Sequence, residues 1–118
     1  MGRKIENFFQ LKDVCRSAGL WYVGSFMAEY LDNRHLWENK DTKQQFIDYM
    51  YCEYEGIDQW VSGTRTRANC MIRIIESGYV CDAMRLVLQA DDRKLGCSQS
   101  KINAQMVLDA FADGEYAE

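Results

Sequence analysis

The stretch Ala68-Asn69-Cys70-Met71-Ile72-Arg73-Ile74-Ile75-Glu76-Ser77-Gly78-Tyr79-Val80-Cys81-Asp82-Ala83-Met84-Arg85-Leu86-Val87 decides the fold class. Ala68, Met71, Ile72 and Ile75 recur every three to four positions, with Asn69, Arg73 and Glu76 between them. Beyond Gly78 the pattern repeats in Val80, Ala83, Met84 and Val87, with Asp82, Arg85 and Gln89 opposite. This is the period of an amphipathic helix, not the alternation of a half-buried strand. Gly78 stands where the first helix should stop, since glycine enters the left-handed conformation without a Cβ clash. The stretch predicts a helix over residues 65–77 and a second after Gly78, folded back as an αα-hairpin. Pairing of residues 60–95 as β-strands is the arrangement that would overturn it.

The same period extends in both directions. Residues 3–18 place Ile5, Phe8, Leu11, Cys15 and Ala18 on one face, and Gly19 supplies the stop. Residues 20–23 read as an apolar connector, after which Ser25 caps a helix with Phe26, Met27, Tyr30 and Leu31 inward. Asp41 or Thr42 caps a helix to about residue 55 with Phe46, Ile47, Met50 and Tyr54 inward, ended by Gly56. Residues 62–64 read as a loop and 91–96 as a turn. Ser98 or Ser100 caps a last helix that buries Ile102, Ala104, Val107, Leu108 and Phe111, and residues 114–118 form a frayed tail. The chain contains no proline, so its glycines punctuate the helices. The expectation is an all-α single domain over residues 1–118, a compact bundle of five or six short helices including a C-terminal αα-hairpin plus a final helix.

A length of 118 residues with 47% hydrophobic and 27% charged residues supports one hydrophobic core. The net charge of -4 excludes a surface built wholly for phosphate backbones or anionic lipid. Charge is uneven along the chain: three basic against eight acidic residues between positions 29 and 58, then seven against four between 59 and 101. No secretory signal and no apolar run of membrane-spanning length is read, which implies a cytoplasmic protein that no membrane holds. The cysteines at 15, 52, 70, 81 and 97 are then thiols, and without a Cys-x-x-Cys pair, and with His35 the one histidine, they predict neither zinc nor any cofactor.

Two surfaces are candidates for function. Tyr49 and Tyr51 alternate with Asp48, Glu53 and Glu55 on one helix, and aromatic side chains on an acidic surface suit a protein partner because they offer large contact area at low entropic cost. Gly63-Thr64-Arg65-Thr66-Arg67 is read as opening a helix, where free backbone N–H groups and two guanidinium forks favour an anion. Arg73, Arg85, Arg93 and Lys94 extend this to a basic edge. The leading expectation is a non-enzymatic protein–protein interaction or regulatory module, inhibitory in one form, that uses either surface. Nucleic-acid binding through a helix-turn-helix-like hairpin is the alternative, with Asp82 near the start of the second helix working against phosphate approach. The second alternative, a metal-dependent nuclease, rests on Asp82 with Asp92-Arg93-Lys94, the acidic-x-lysine pattern that holds a cation and polarises water. No nucleophile motif accompanies His35, and Cys97 is read as an exposed thiol without function. Gly78-Tyr79-Val80-Cys81-Asp82-Ala83, with Ala90 seven residues on, resembles the second half of a tetratricopeptide repeat over about 20 residues. That resemblance implies a helical hairpin alone, since no second copy follows.

Overall fold

The computed structural model describes residues 4–53, 61–95 and 98–116. The elements are α1 (Phe8–Ala18), α2 (Leu20–Asp32), α3 (Arg34–Trp37), α4 (Lys40–Glu53), α5 (Val61–Glu76), α6 (Val80–Gln89), α7 (Asp92–Leu95) and α8 (Gln99–Ala112), with no strand among the described residues. The all-α class therefore holds. The six longer helices match the expected bundle, and α3 and α7 are single turns that add to the count.

α1 begins at Phe8 rather than near Arg3, because Asn7 caps it: its side chain accepts from the Gln10 N–H at 2.9 Å, and the Gln10 side chain accepts from the Glu6 N–H at 2.8 Å. The first bond satisfies a donor that the helix start leaves without an intrahelical partner, and the second ties the residue ahead of the cap to the first turn. Ile5 lies ahead of the helix, buried, with its N–H donating to Ser77 Oγ at 2.8 Å. Phe8, expected inward, is instead half exposed in the first turn.

Gly19, at φ +91°, ends α1 and directly starts α2. Residues 20–23, expected as a connector, are thus the first turn of a helix. The strand-like propensity of Trp21, Tyr22 and Val23 is overridden by burial, since Tyr22 and Val23 are wholly enclosed with Met27 and Tyr30 on the same face. Fully burying each such side chain contributes roughly 1.5–3 kcal/mol. Ser25 is accordingly inside α2 and does not cap it.

α2 lies against α8 and α6, and Gly24 sets how close they come. A Cβ there would stand 2.7 Å from Val87 Cγ1 and 2.8 Å from the Ser100 carbonyl oxygen. Beside it Ser100, also expected as a cap, is fully buried within α8 and donates to the Trp21 carbonyl at 3.0 Å. Its one proton is thereby used, so Ser25 is the donor in the 2.7 Å Ser25–Ser100 hydroxyl pair. Asn103 closes the seam with an amide bond to the Ser25 carbonyl at 3.1 Å.

Tyr22 and Tyr30 share a 2.6 Å hydroxyl contact in the core, Trp37 Nε1 donates to the Tyr30 carbonyl at 2.7 Å, and Phe46 meets the Tyr30 ring edge-on. These contacts seat α3 and α4 on α2. The Asn39 side chain, rather than that of Asp41 or Thr42, accepts an N–H in the opening turn of α4, that of Asp41, while Thr42 donates to the Leu36 carbonyl.

α5 starts by Val61, so residues 62–64 are helix rather than loop. It packs against α1, α4 and α2, which explains why Cys70 and Ile74 are buried as well as the expected Ala68, Met71, Ile72 and Ile75. Its end is as expected: Gly78, at φ +77°, donates to the Ile75 carbonyl and Tyr79 to that of Ile74, a Schellman stop. α6 follows at once, and its main packing partners are α8 and α2 rather than α5. Val80, Ala83, Met84 and Val87 are buried as read. In α8, Ala104 and Val107 are buried and Leu108 and Phe111 partly so, but Ile102 faces outward. Tyr116, placed by the sequence reading in a frayed tail, packs on Phe111 and donates to Asp32 at 2.6 Å. No helix among the described residues is long and apolar enough to cross a membrane.

Candidate functional site

α5 is enclosed on most of its circumference, and what it leaves to solvent is a narrow strip. Arg65, Asn69 and Arg73 follow at intervals of four along it, with Arg73 half-buried. The strip separates two clefts. On one side Arg73 helps line a cleft of about 550 Å³ against α1, together with Lys4, Glu6 and Asp13, so that cations and carboxylates are mixed. On the other, Arg65 and Asn69 face the first half of α4 across a cleft of about 250 Å³, whose α4 wall is Lys40, Lys43, Gln44 and Ile47.

The second cleft differs in charge. Its described lining holds three cations and no carboxylate. Lys40 and Lys43 form no ion pair with any described residue, and Arg65 donates to the Gln44 side-chain oxygen at 2.7 Å instead of to an acid. The amide nitrogen of Gln44 in turn donates to Asp48 at 2.9 Å, which fixes the oxygen toward Arg65. A lysine in the opening turn of a helix also sits unfavourably against the positive end of the dipole. The arrangement keeps like charges together where an acidic chain could have neutralised them.

The predicted basic edge is not one patch. Arg67, two residues from Arg65 and so about 200° round the helix, lies instead over the buried Tyr22 ring at 5.7 Å. Arg85 is paired with Asp82 at 3.1 Å on α6, and Arg93 extends from α7 beside Asp91. The Lys94 side chain lies outside the described residues. The anion site read at residues 63–67 is also corrected, because the helix opens earlier and Thr64 is buried.

The acidic tyrosine helix is likewise divided. Asp48 and Tyr51 lie on the α5 flank of α4 with Gln44, whereas Tyr49 is half exposed on the opposite flank, lining a cleft of about 280 Å³ with Leu36, Thr42 and Phe46. The Glu53 side chain and Glu55 lie outside the described residues, as do Tyr54, Gly56 and Cys97. For the nuclease pattern, Asp82 bonds Arg85 while Asp92 bonds Lys101 at 2.7 Å, and no group of three or more potential metal ligands occurs among the described residues.

A fourth cleft, of about 580 Å³, has a largely apolar floor of Leu20, Trp21, Leu86, Ala90 and Leu95, where the α1–α2 junction meets α6 and α7. Cys15 borders it, and burial, with Cys70 nearby, pushes its thiol up to about 12, which makes it inert as a nucleophile.

Sequence reasoning placed Arg65 and Arg73 on one basic edge but missed Lys40, Lys43 and Gln44. The available signal was their spacing with Ile47, which puts all four on one side of a helix. No family model, curated protein or solved structure matches the chain.

Proposed function

We propose that this chain is a non-enzymatic docking module that engages another protein through the α4–α5 cleft, taking an anionic side chain of the partner between Lys40, Lys43 and Arg65. The observation that carries the reading is the set of three cations lining one cleft without a described counter-charge. Uncompensated like charges cost stability in the free protein, and an anion from outside is what relieves them. The overall charge of -4 does not oppose this, because repulsion from distant carboxylates is screened over about 8–10 Å at physiological salt. A module of this kind suits a regulatory subunit or an inhibitor, which needs a binding face and no chemistry.

The same geometry favours a protein over a nucleic acid. A phosphate backbone asks for a continuous track of cations, and here the strip beyond Asn69 runs into Glu6 and Asp13. The α6 helix that would serve as a recognition helix is packed between α8 and α2, and its Arg85 is already paired. The test uses a glutamate-rich peptide, a DNA duplex and a single-stranded RNA at low salt. The peptide is expected to shift the amide resonances of residues 40–47, 65 and 69, and to lose this effect when Lys40, Lys43 and Arg65 are replaced by alanine. Oligonucleotide binding that weakens about a thousand-fold between 50 and 200 mM salt would overturn the reading in favour of a nucleic-acid partner.

A further inference from the structure

We infer that the group taken by the α4–α5 cleft is a phosphoryl dianion on the partner protein, a phosphorylated serine, threonine or tyrosine, rather than a carboxylate; this rests on the docking reading above. Charge is the first argument. A carboxylate brings one negative charge and would leave most of the excess of Lys40, Lys43 and Arg65 in place, whereas a phosphate monoester brings about -1.5 to -2 near neutral pH. Donor geometry is the second. Lys40 and Lys43 reach in from one helix at a spacing of three, Arg65 and Asn69 from the other at a spacing of four, so the donors come from two walls. A carboxylate is planar and offers two oxygens, but a phosphoryl group offers three arranged in space, which suits donors on both sides.

The third argument is how Arg65 is held. Gln44 orients the guanidinium through a neutral amide, itself anchored on Asp48, so the fork is positioned without its charge being consumed. One of its five N–H groups is used and the remainder stay available. The Asn69 side chain makes no hydrogen bond to a described residue and adds a neutral donor. At about 250 Å³ the cleft holds several times the roughly 30 Å³ of one water, room for a tetrahedral group with its linking atoms.

The experiment titrates the full chain by calorimetry with a glycine-serine peptide carrying one phosphoserine, with the same peptide carrying glutamate or plain serine there, and with inorganic phosphate. The phosphopeptide is expected to bind at least tenfold tighter than the glutamate peptide, with inorganic phosphate competing only at far higher concentration. Arg65→Ala is expected to abolish binding, and Arg65→Lys, which keeps the charge and loses the fork, to remove most of the preference, both with unchanged melting temperature. Equal affinity for the phosphoserine and glutamate peptides overturns the inference and leaves the docking reading standing. Binding of none of the peptides overturns both. Inorganic phosphate bound as tightly as the phosphopeptide, or a short DNA bound more tightly than either, overturns the assignment to a phosphorylated protein.

Discussion

The seam between α2 and α8 and the edge between α4 and α5 are both helix pairs with polar residues facing each other, yet they resolve their polar groups in opposite ways. In the seam, Gly24 lets the backbones approach, and the Ser25, Ser100 and Trp21 groups and Asn103 satisfy one another. At the edge the helices stand apart by a cleft whose lysines meet no described partner. Polar groups that are closed pairwise fix the register of a core, and polar groups kept apart from counter-charges keep their capacity to bind. The seam is therefore where substitution should cost folding, and the edge where it should cost recognition.

The largest effect belongs to Gly24. Helix propensity alone says that a side chain there should help by up to about 1 kcal/mol. Packing says the reverse, because the added Cβ meets Val87 and a backbone oxygen that cannot swing away. Gly24→Val should lower stability by about 3 kcal/mol, a fall of roughly 12 °C in Tm by differential scanning calorimetry. A rise would mean that the seam is looser than described. Ser100→Ala comes next: it removes the acceptor of Ser25 and the donor to the Trp21 carbonyl in a buried site, and should cost about 2 kcal/mol in urea unfolding.

Cys15 tests the core where α1 packs on α5 and α2. Its folded pKa, raised from 9.0 to about 12, exceeds the unfolded one, so the folded state holds the proton more tightly. The stability it contributes is complete below pH 9 and is lost as pH rises from 9 to 12. By pH 10 the loss should be on the order of 1 kcal/mol. Urea unfolding of Cys15→Ala across this range should show a shallower decline than the wild type, and parallel curves would contradict the enclosed position of the thiol.

The closed region was more legible in sequence than the open one, for a physical reason. Period alone placed Ala68, Met71, Val80, Ala83, Met84 and Val87 inward, since a helix among helices must bury one stripe. It failed where tertiary packing decides: Phe8 and Ile102 fall on the right stripe but in first turns that no neighbour covers, and residues 20–23 became helix once Tyr22 and Val23 had a core to enter. Ser25 and Ser100 have the chemistry of caps, and only the approach of α2 to α8 reveals them as a buried pair. At the edge, the spacing of Arg65, Asn69 and Arg73 puts them on one strip, but Arg67 was grouped with Arg65 although two residues along a helix stand about 200° apart. Lys40 and Lys43 were hidden in a segment whose sum is strongly acidic, because a segment sum does not say which flank of α4 each charge takes.

The smallest expected effect separates the two regions most sharply. If Lys40, Lys43 and Arg65 are uncompensated, removing one of them should not destabilise the fold at all. Lys43→Gln keeps the first two methylenes of the side chain, relieves repulsion from its neighbours and removes a cation from the opening turn of α4, where the helix dipole disfavours it. Like charges at this spacing cost a few tenths of a kcal/mol, so the variant should gain about 0.3 kcal/mol at low salt. The gain should vanish at 1 M salt, where the screening length is about 3 Å. Chemical denaturation with urea, which leaves ionic strength under control, resolves the sign when wild type and variant are measured side by side. A loss of stability that high salt diminishes would mean that Lys43 already has a counter-charge in the folded chain. The cleft would then be an ordinary neutralised surface like that around Arg73, and the contrast with the seam would no longer be one of function.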